Sequence, residues 1–306
     1  MKRFLCMLIL IPSLILAIPA VISFLVPEPD FVPVSNSYSF PASITILDAE
    51  TSQIHTIATE DCVNRIFLSD LLPGAPFEAA KAQAVATRSY LLSIIEKQLH
   101  NDCMLCNDPS HCMGISLNDI PAAMHPAVAE TVGQILLYGE KPAKACYFTA
   151  CSGKTESAED VWGVDIPYLR SVSSEGDSRS ASYRSRVFYP IDGFYTVLKG
   201  ARHNIDISQS NLGKVEKTKA GHVKEMVLLN QRFTGEEIKN LFQLKSTNFT
   251  AEVLDNQIVF TVLGDGHGVG MSQYGAKTMA ENGKNYADIL SHYYSDVQLK
   301  SAIKET

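Results

Sequence analysis

The sequence lacks any excess of positive charge: 26 Lys and Arg stand against 33 Asp and Glu, a formal net charge of −7 at pH 7. Domains that bind nucleic acid need a basic footprint, so this balance argues against a nucleic-acid partner. The chain also has no internal repeat and no low-complexity tract. Its most glycine-dense stretch, residues 264–276, does not satisfy G-x-G-x-x-G, which argues against a dinucleotide site.

Charged residues are also missing from most of the amino-terminal segment. Lys2 and Arg3 precede an uncharged apolar run from Phe4 to Pro27, and about 20 apolar residues suffice to span a bilayer as a helix. Signal-peptide cores are shorter, about 7–15 residues, and no convincing cleavage site follows this run. Positive residues tend to stay in the cytoplasm, so the rest of the chain is expected outside it. We therefore predict that residues 1–27 form an uncleaved single-pass anchor in the cell membrane; a cleaved signal peptide is the alternative.

The chain beyond this anchor is long enough for one large domain. Residues 28–42 are rich in Pro and Ser and are expected to form a stiff linker. Residues 43–57 show the pattern of two short strands joined by a polar turn. For residues 43–300 we predict an α+β fold, a mixed α/β ectodomain with a cleft, built either as one body or as two interlocked lobes.

An alanine-rich segment dominates the first part of this ectodomain. Asp70 precedes a turn, and Pro76 suits the first position of a following helix. In that helix Lys81 and Arg88 are seven residues apart, so both project from the same face. A carboxylate, a tight turn and two cations could form the floor of a binding cleft. The alternative is an ordinary helix whose cations point to water, which is the common case for such residues.

Residues 60–90, EDCVNRIFLSDLLPGAPFEAAKAQAVATRSY, resemble the opening signature of the SpoIID/LytB-type domain family, E-D-Y-V-x-G-V-V-x-S-E-M-P followed by E-A-L-K-A-Q-A-V-A-A-R-T-Y. Two further blocks resemble the same family, ACSGKTESAEDVWG at 150–163 and GDGHGVGMSQYGA at 264–276. One position departs from the pattern. Asp70 stands where the family has its catalytic Glu.

The resemblance implies a membrane-anchored lytic transglycosylase that cleaves peptidoglycan glycan strands, preferably free of peptides, and leaves anhydro-muramic ends. It implies a role in septal wall remodelling and engulfment during sporulation, with an amidase and a multispanning membrane protein of the engulfment machinery as partners. The catalytic carboxyl would be Asp70. Because Asp is one methylene shorter than Glu, the alternative is a glycan-binding scaffold that has lost most of its activity.

Several other residues become candidates for substrate binding. Acidic loops that carry an aromatic residue often hold sugars, and the 150–163 block carries both; a solvated loop capped by a packing Trp162 is the alternative. Glycines flank His267, which would expose its imidazole to a ligand. With the resemblance, the predicted substrate-binding residues are Lys81, Arg88, Glu156, His267, Gln273 and Tyr274.

A cluster of potential metal ligands occupies residues 100–112, HNDCMLCNDPSHC, with five His and Cys in thirteen residues. His and Cys at this density favour zinc, although a disulfide is the alternative in a domain outside the cytoplasm. Clostridial members of the family bind zinc through H-x5-C-x5-C, and this spacing falls on His100, Cys106 and Cys112. Cys103 and His111 would then be spectators or substitutes. We expect this zinc to be structural, since the resemblance places the acid–base chemistry on the carboxyl group.

Overall fold

In the computed structural model, which describes residues 38–117, 123–202 and 212–304, a long helix runs through the middle of the fold. The anchor predicted for residues 1–27 lies outside the described residues, and so does most of the predicted linker. Within these three ranges, no helix combines the length and the apolar character needed to cross a membrane. Ser39–Phe40, inside the predicted linker, forms a strand that pairs in parallel with Ile303–Lys304.

The described residues include helices of very different lengths. In chain order, the described helices are α1 (Thr59–Asp70), α2 (Phe77–Ile95), α3 (Pro126–Glu130), α4 (Ala158–Trp162), α5 (Ile191–Ala201), α6 (Gly235–Leu241), α7 (Gln273–Glu281) and α8 (Tyr286–Tyr293).

The strands are short and belong to six small sheets within the described residues. In chain order they are β1 (Ser39–Phe40), β2 (Ser43–Leu47), β3 (Ile54–Ala58), β4 (Leu105–Cys106), β5 (Gln134–Tyr138), β6 (Lys141–Pro142), β7 (Tyr147–Phe148), β8 (Arg184–Pro190), β9 (Leu212–Lys217), β10 (Val223–Leu228), β11 (Gln231–Thr234), β12 (Phe249–Leu254), β13 (Gln257–Leu263), β14 (Met271–Ser272), β15 (Gln298–Ser301) and β16 (Ile303–Lys304). The mixture of helices and small sheets confirms the mixed α/β part of the predicted fold.

Helix α2 is the alanine-rich helix, and it is buried on opposite sides. Ala80 and Ala84, one helical turn apart, belong to an apolar core shared with α1 and β2. Ala82 and Ala86 belong to a second core shared with α7 and α8. Small side chains on both faces allow these neighbouring elements to approach the helix backbone closely. Pro76 is the residue just before the helix rather than its first residue.

Residues 134–142 form a short β-hairpin. Strands β5 and β6 pair in antiparallel fashion around a tight turn at Gly139, whose φ is +63°. After Pro142 the chain leaves the hairpin, and Tyr147–Phe148 pairs in parallel with Met271–Ser272 instead. This pairing brings the second and third family-like blocks together. Gly270 is required there, because a Cβ at this position would collide with the carbonyl of Cys146.

Residues 184–263 have a core of their own. Phe194, Phe242 and Phe260 pack together, with the rings of Phe194 and Phe242 stacked at 4.9 Å between centroids. Gln257–Leu263 forms a strand of this segment, and Thr234 and Glu237 form a capping box at the start of α6. We call residues 184–263 the inserted segment, since it enters and leaves the rest of the fold at adjacent residues.

Arg88, one of the predicted substrate-binding residues, is completely buried in a structural contact. Its Nε and Nη2 donate to the two carboxylate oxygens of Glu60 at 2.8 and 2.7 Å, and Nη1 donates to the carbonyl of Gln134 at 3.0 Å. The side chain therefore joins α1, α2 and β5. The spacing of Lys81 and Arg88 correctly put them on one helical face, but that face turns away from solvent at Arg88.

Replacing Arg88 with Ala should lower the free energy of unfolding by about 3–5 kcal/mol, because the Glu60 carboxylate would stay buried without its partner. Chemical denaturation of the full-length chain measures this loss. The double variant Glu60→Leu, Arg88→Met is the control, and it should recover most of the stability because it removes both charges. An Arg88→Ala variant as stable as the wild type would show that the pair is not structural.

Candidate active site

A cavity of about 360 Å³ opens beside the end of α1. Its walls come from α1, from the segment around β7, from the loop that contains the His and Cys cluster, from α4 and from the glycine-rich block. Among the residues that line it are Asp70, Tyr90, Cys112, Lys144, Tyr147, Trp162 and His267. The structure thus brings two predicted site residues, Asp70 and His267, to one cavity.

Asp70 is the last residue of α1, and hydrogen bonds hold both its exposed side chain and its main chain. Its Oδ2 accepts a hydrogen bond from the Tyr147 hydroxyl at 2.7 Å. Its backbone carbonyl accepts one from Nε2 of Gln273 at 2.5 Å, and the same nitrogen donates to Oε1 of Gln83 at 3.0 Å. Gln273 therefore acts on the main chain of Asp70 and is a positioning residue. The carboxylate is fixed in the cavity, since its other oxygen, Oδ1, accepts a hydrogen bond from the Ser69 hydroxyl at 3.0 Å.

Tyr147 is a site residue that sequence reasoning missed. Burial raises the pKa of its phenol well above the usual value, and the negative charge of Asp70 acts in the same direction. The hydroxyl therefore stays protonated and donates to Asp70, while Thr87 of α2 donates to Tyr147 at 3.1 Å. The available signal was the position of Tyr147 three residues before the second family-like block.

His267 stands between two aromatic rings at the wall of the cavity. Its ring centroid is 5.6 Å from that of Phe148 and 5.7 Å from that of Trp162. Burial lowers the pKa of His267 to about 4, with the charge of Lys144 acting in the same direction. Nδ1 accepts the backbone N–H of Val269 at 3.1 Å, so the neutral ring carries its proton on Nε2. This N–H already interacts with the backbone of Tyr147, so a sugar hydroxyl would have to share or replace that contact.

A titration should show His267 neutral at every pH above about 5, because its folded pKa is about 4 and its unfolded value is about 6.5. Between these values the unfolded chain binds the proton and the native chain does not. This residue's contribution to stability is therefore lost as the pH falls from about 6.5 to 4. Nitrogen NMR of the imidazoles, assigned with His267→Gln, gives the midpoint. A midpoint near 6.5 would contradict the burial argument.

Lys81 does not line the Asp70 cavity, although it was predicted to bind substrate. Its Nζ is 2.6 Å from the Glu78 carboxylate and 3.9 Å from that of Glu130. The ammonium also lies over the rings of Phe77 and Tyr286, at 5.2 and 4.9 Å from their centroids. Through these contacts the ammonium of Lys81 helps to pack α8 against α2.

Glu156 and Tyr274 also fall outside the residues that line this cavity. Glu156 is buried, its carboxylate accepts a hydrogen bond from Thr218, and Oε1 is 3.8 Å from Nε2 of His222. Burial raises the pKa of Glu156. This carboxylate packs behind Gly268 and joins the inserted segment to the glycine-rich block. Tyr274 is half-buried, and its backbone N–H donates to the carbonyl of Thr149 at 3.2 Å.

The His and Cys cluster gathers the three predicted metal ligands and adds a fourth. One donor atom from each of His100, Cys106, His111 and Cys112 lies within 4.8 Å of all the others. Cys106 and Cys112 are free thiols rather than a disulfide. Two thiols and two imidazoles at this separation fit the tetrahedral donor set of a structural zinc site. Cys103 does not belong to the group. Cys112 also lines the Asp70 cavity, so the cluster shapes one wall of the site.

Comparison of the sequence with known proteins shows which family the chain belongs to. The family described as "Stage II sporulation protein" (SpoIID) matches residues 48–138. Stage II sporulation protein D of Bacillus amyloliquefaciens is 30% identical over 288 residues, which cover 86% of this chain and 80% of that protein. Its counterpart in Bacillus subtilis (strain 168) is 31% identical over 278 residues with the same coverage. The chain belongs to the SpoIID family.

Membership of the SpoIID family connects the chain with sporulation and with a cell-wall-related activity. A protein named amidase enhancer, from Bacillus subtilis (strain 168), is 23% identical over 287 residues, which cover 73% of this chain but 38% of that protein. The SpoIID match over residues 48–138 includes Asp70 and the whole His and Cys cluster.

Zinc binding by the His and Cys cluster of this SpoIID protein can be tested directly. The full-length chain should contain about one zinc per molecule, because two thiols and two imidazoles complete a tetrahedral site. Elemental analysis should find the zinc lost in Cys106→Ser and in His111→Ala and retained in Cys103→Ser, the matched control. At free zinc a hundredfold above Kd, mass action alone stabilises the fold by about 2.7 kcal/mol, so chelation should lower the melting temperature. Zinc-free wild-type protein would refute the assignment.

Proposed function

We propose that this SpoIID protein is a lytic transglycosylase that cleaves the glycan strands of peptidoglycan. One observation carries the proposal. Asp70 is the sole acidic side chain among the described residues that line the cavity, and it lies there with aromatic residues suited to sugars. A hydrolase would normally need a second carboxyl group at a set distance, about 5–10 Å, to act as nucleophile or to activate water. A transglycosylase needs one carboxyl group.

The reaction uses that carboxyl group twice. As an acid, Asp70 gives its proton to the glycosidic oxygen, and the bond from this oxygen to the anomeric carbon breaks. As a base, the resulting carboxylate takes the proton of the sugar's own 6-hydroxyl while that oxygen bonds to the anomeric carbon. The carboxyl group is regenerated, no water is consumed, and the product ends in an anhydro-muramic residue.

The neighbouring residues position the strand and the acid. Trp162 offers a ring face for stacking on a sugar, and the neutral His267 offers an N–H that the sugar would share with the backbone of Tyr147. Tyr147 and Gln273 hold the side chain and the main chain of Asp70. Such fixation matters here, since about 1 Å of misplacement can cost on the order of a hundredfold in rate. Because Asp70 is fixed in this way, we expect it to be catalytically active although its side chain is shorter than that of Glu.

Zinc enters this proposal as a structural element. Bound by His100, Cys106, His111 and Cys112, it would hold the loop that forms one wall of the cavity. Four protein ligands fill a tetrahedral site, so the residues present fit a closed site rather than an open catalytic one.

The cellular setting follows from the sequence and the family. We propose that residues 1–27 anchor the protein in the cell membrane, with the described residues outside the cytoplasm, in the septal or intermembrane space of sporulating cells. An amidase would supply strands freed of peptides, and a multispanning membrane protein would complete the engulfment machinery. The relationship to an amidase enhancer supports an amidase as partner.

Asp70→Asn should abolish cleavage, because an amide can neither give nor take the proton; the expected loss of rate is at least about a thousandfold. Full-length protein is incubated with purified peptide-free glycan strands, and mass spectrometry follows anhydro-ended fragments. Asp61→Asn, which changes an exposed acid on the same helix, is the matched control and should keep wild-type activity.

The Asp70→Glu variant distinguishes the two candidate functions, an active enzyme and a glycan-binding scaffold. The hydrogen bonds that fix Asp70 favour an active wild type, in which Asp70→Glu changes the rate without creating the activity. If wild type is silent and Asp70→Glu produces anhydro-ended fragments, the cleft is intact but its acid is lost. The protein would then be a glycan-binding scaffold, which is the second candidate function because Asp70 replaces the family's Glu.

A further inference from the structure

A second cavity of about 370 Å³ adjoins the first one across the indole of Trp162. The two cavities share Trp162 and Lys144, and the second is otherwise lined mainly by apolar or aromatic surface. Its lining includes Lys97, Pro142, Val164 and Tyr168. Sharing a ring and a cation makes the two cavities neighbouring parts of one groove, so a chain of sugars that reaches Asp70 has a place for its next unit.

The Lys144 ammonium has a fixed place but no charged partner in this groove. Its Nζ lies 4.2 Å from the centroid of the Trp162 ring, a cation–π contact that orients both side chains. Among the described residues, no carboxylate lies within ion-pair distance of Lys144 or Lys97, whereas Lys81 and Lys224 are both paired. Two cations without carboxylate partners line one cavity of a protein whose net charge is −7.

We infer that the second cavity is a subsite for an anionic sugar and that Lys144 pairs there with its carboxylate. The identity of the ligand rests on the proposed function: in a glycan strand of peptidoglycan, every second sugar carries a lactyl ether, and the lactyl carboxylate is free once the peptide has been removed. A ring for the sugar face and an ammonium for its carboxylate are the two contacts that such a unit requires.

The same carboxylate chemistry could come from the stem peptide, which has carboxylates of its own. The position of Lys144 favours the lactyl group. Its ammonium lies on the ring that both cavities share, where a sugar chain that occupies both cavities would have to pass, and the lactyl carboxylate is attached directly to the sugar. Lys144 is thus a specificity-determining residue, which distinguishes a strand without peptides from one that carries them.

Binding measured without cleavage tests the subsite. The Asp70→Asn full-length protein is titrated with tetrasaccharides of peptide-free glycan, and the fluorescence of Trp162, the single tryptophan of the chain, reports occupancy. One ligand has free lactyl carboxylates, a second has them converted to methylamides, and a third carries stem peptides. We expect the free carboxylate to bind about tenfold more tightly than the methylamide, the range of one charge-assisted hydrogen bond.

The preference should vanish in Lys144→Met and persist in Lys144→Arg and in Lys141→Met, which changes an exposed lysine three residues earlier that lines neither cavity. Equal binding of carboxylate and methylamide, or a preference that survives Lys144→Met, would overturn the inference. Tighter binding of the peptide-bearing ligand that depends on Lys144 would overturn the lactyl assignment. Because these variants lack the catalytic acid, an inactive wild type would refute the proposed activity without touching this result.

Discussion

The buried pairing of Glu60 with Arg88 determines where α1 lies, and through α1 it determines where the carboxyl group of Asp70 is presented. Glu60 is near the beginning of α1 and Asp70 is its last residue. The helix is therefore fixed at one end by two charge-assisted hydrogen bonds and at the other by the amide of Gln273. A pair buried this deeply demands complete partners, and the carbonyl of Gln134 supplies the remaining acceptor for Arg88.

The same central helix supports the site directly. Gln83 and Thr87 are four residues apart on α2, so they lie on one face. Gln83 contacts Gln273, and Thr87 contacts Tyr147. Gln273 and Tyr147, which hold Asp70, are thus both held by α2. The alanines that surround these positions allow the glycine-rich block and β7 to approach the helix closely enough for such short hydrogen bonds.

This arrangement shows what a sequence can and cannot predict about the site. Local signals worked well: the strand pair near residue 43 and the helix after Pro76 depend on neighbours in sequence, and both are present. The family-like blocks pointed to the cavity that holds Asp70 and His267. Which face of α2 is buried depends on residues far away in the chain, so the sequence pattern did not show that Arg88 pairs with Glu60 or that Lys81 lies outside the Asp70 cavity.

Tyr147 and His111 are residues whose place in the structure the sequence patterns did not predict. Tyr147 reaches Asp70 because β7 pairs with β14, more than a hundred residues later, and no local pattern announces that pairing. His111 joins the His and Cys cluster because its loop folds back on itself, whereas ligand spacing taken from relatives had favoured three positions. Long-range pairing decides the place of Tyr147, and the folding of a local loop decides that of His111; neither can be read from periodicity or spacing.

The inserted segment has one further consequence, which concerns its ends. The N–H of Gly264 donates to the carbonyl of Tyr183 at 2.7 Å, so the chain leaves the rest of the fold and returns to it at the same place. For the remaining residues, the described parts of the inserted segment connect two adjacent points of the chain. Its length can therefore change in evolution most readily away from Thr218, His222 and Asn248, because the first two contact Glu156 and the third contacts Ser152.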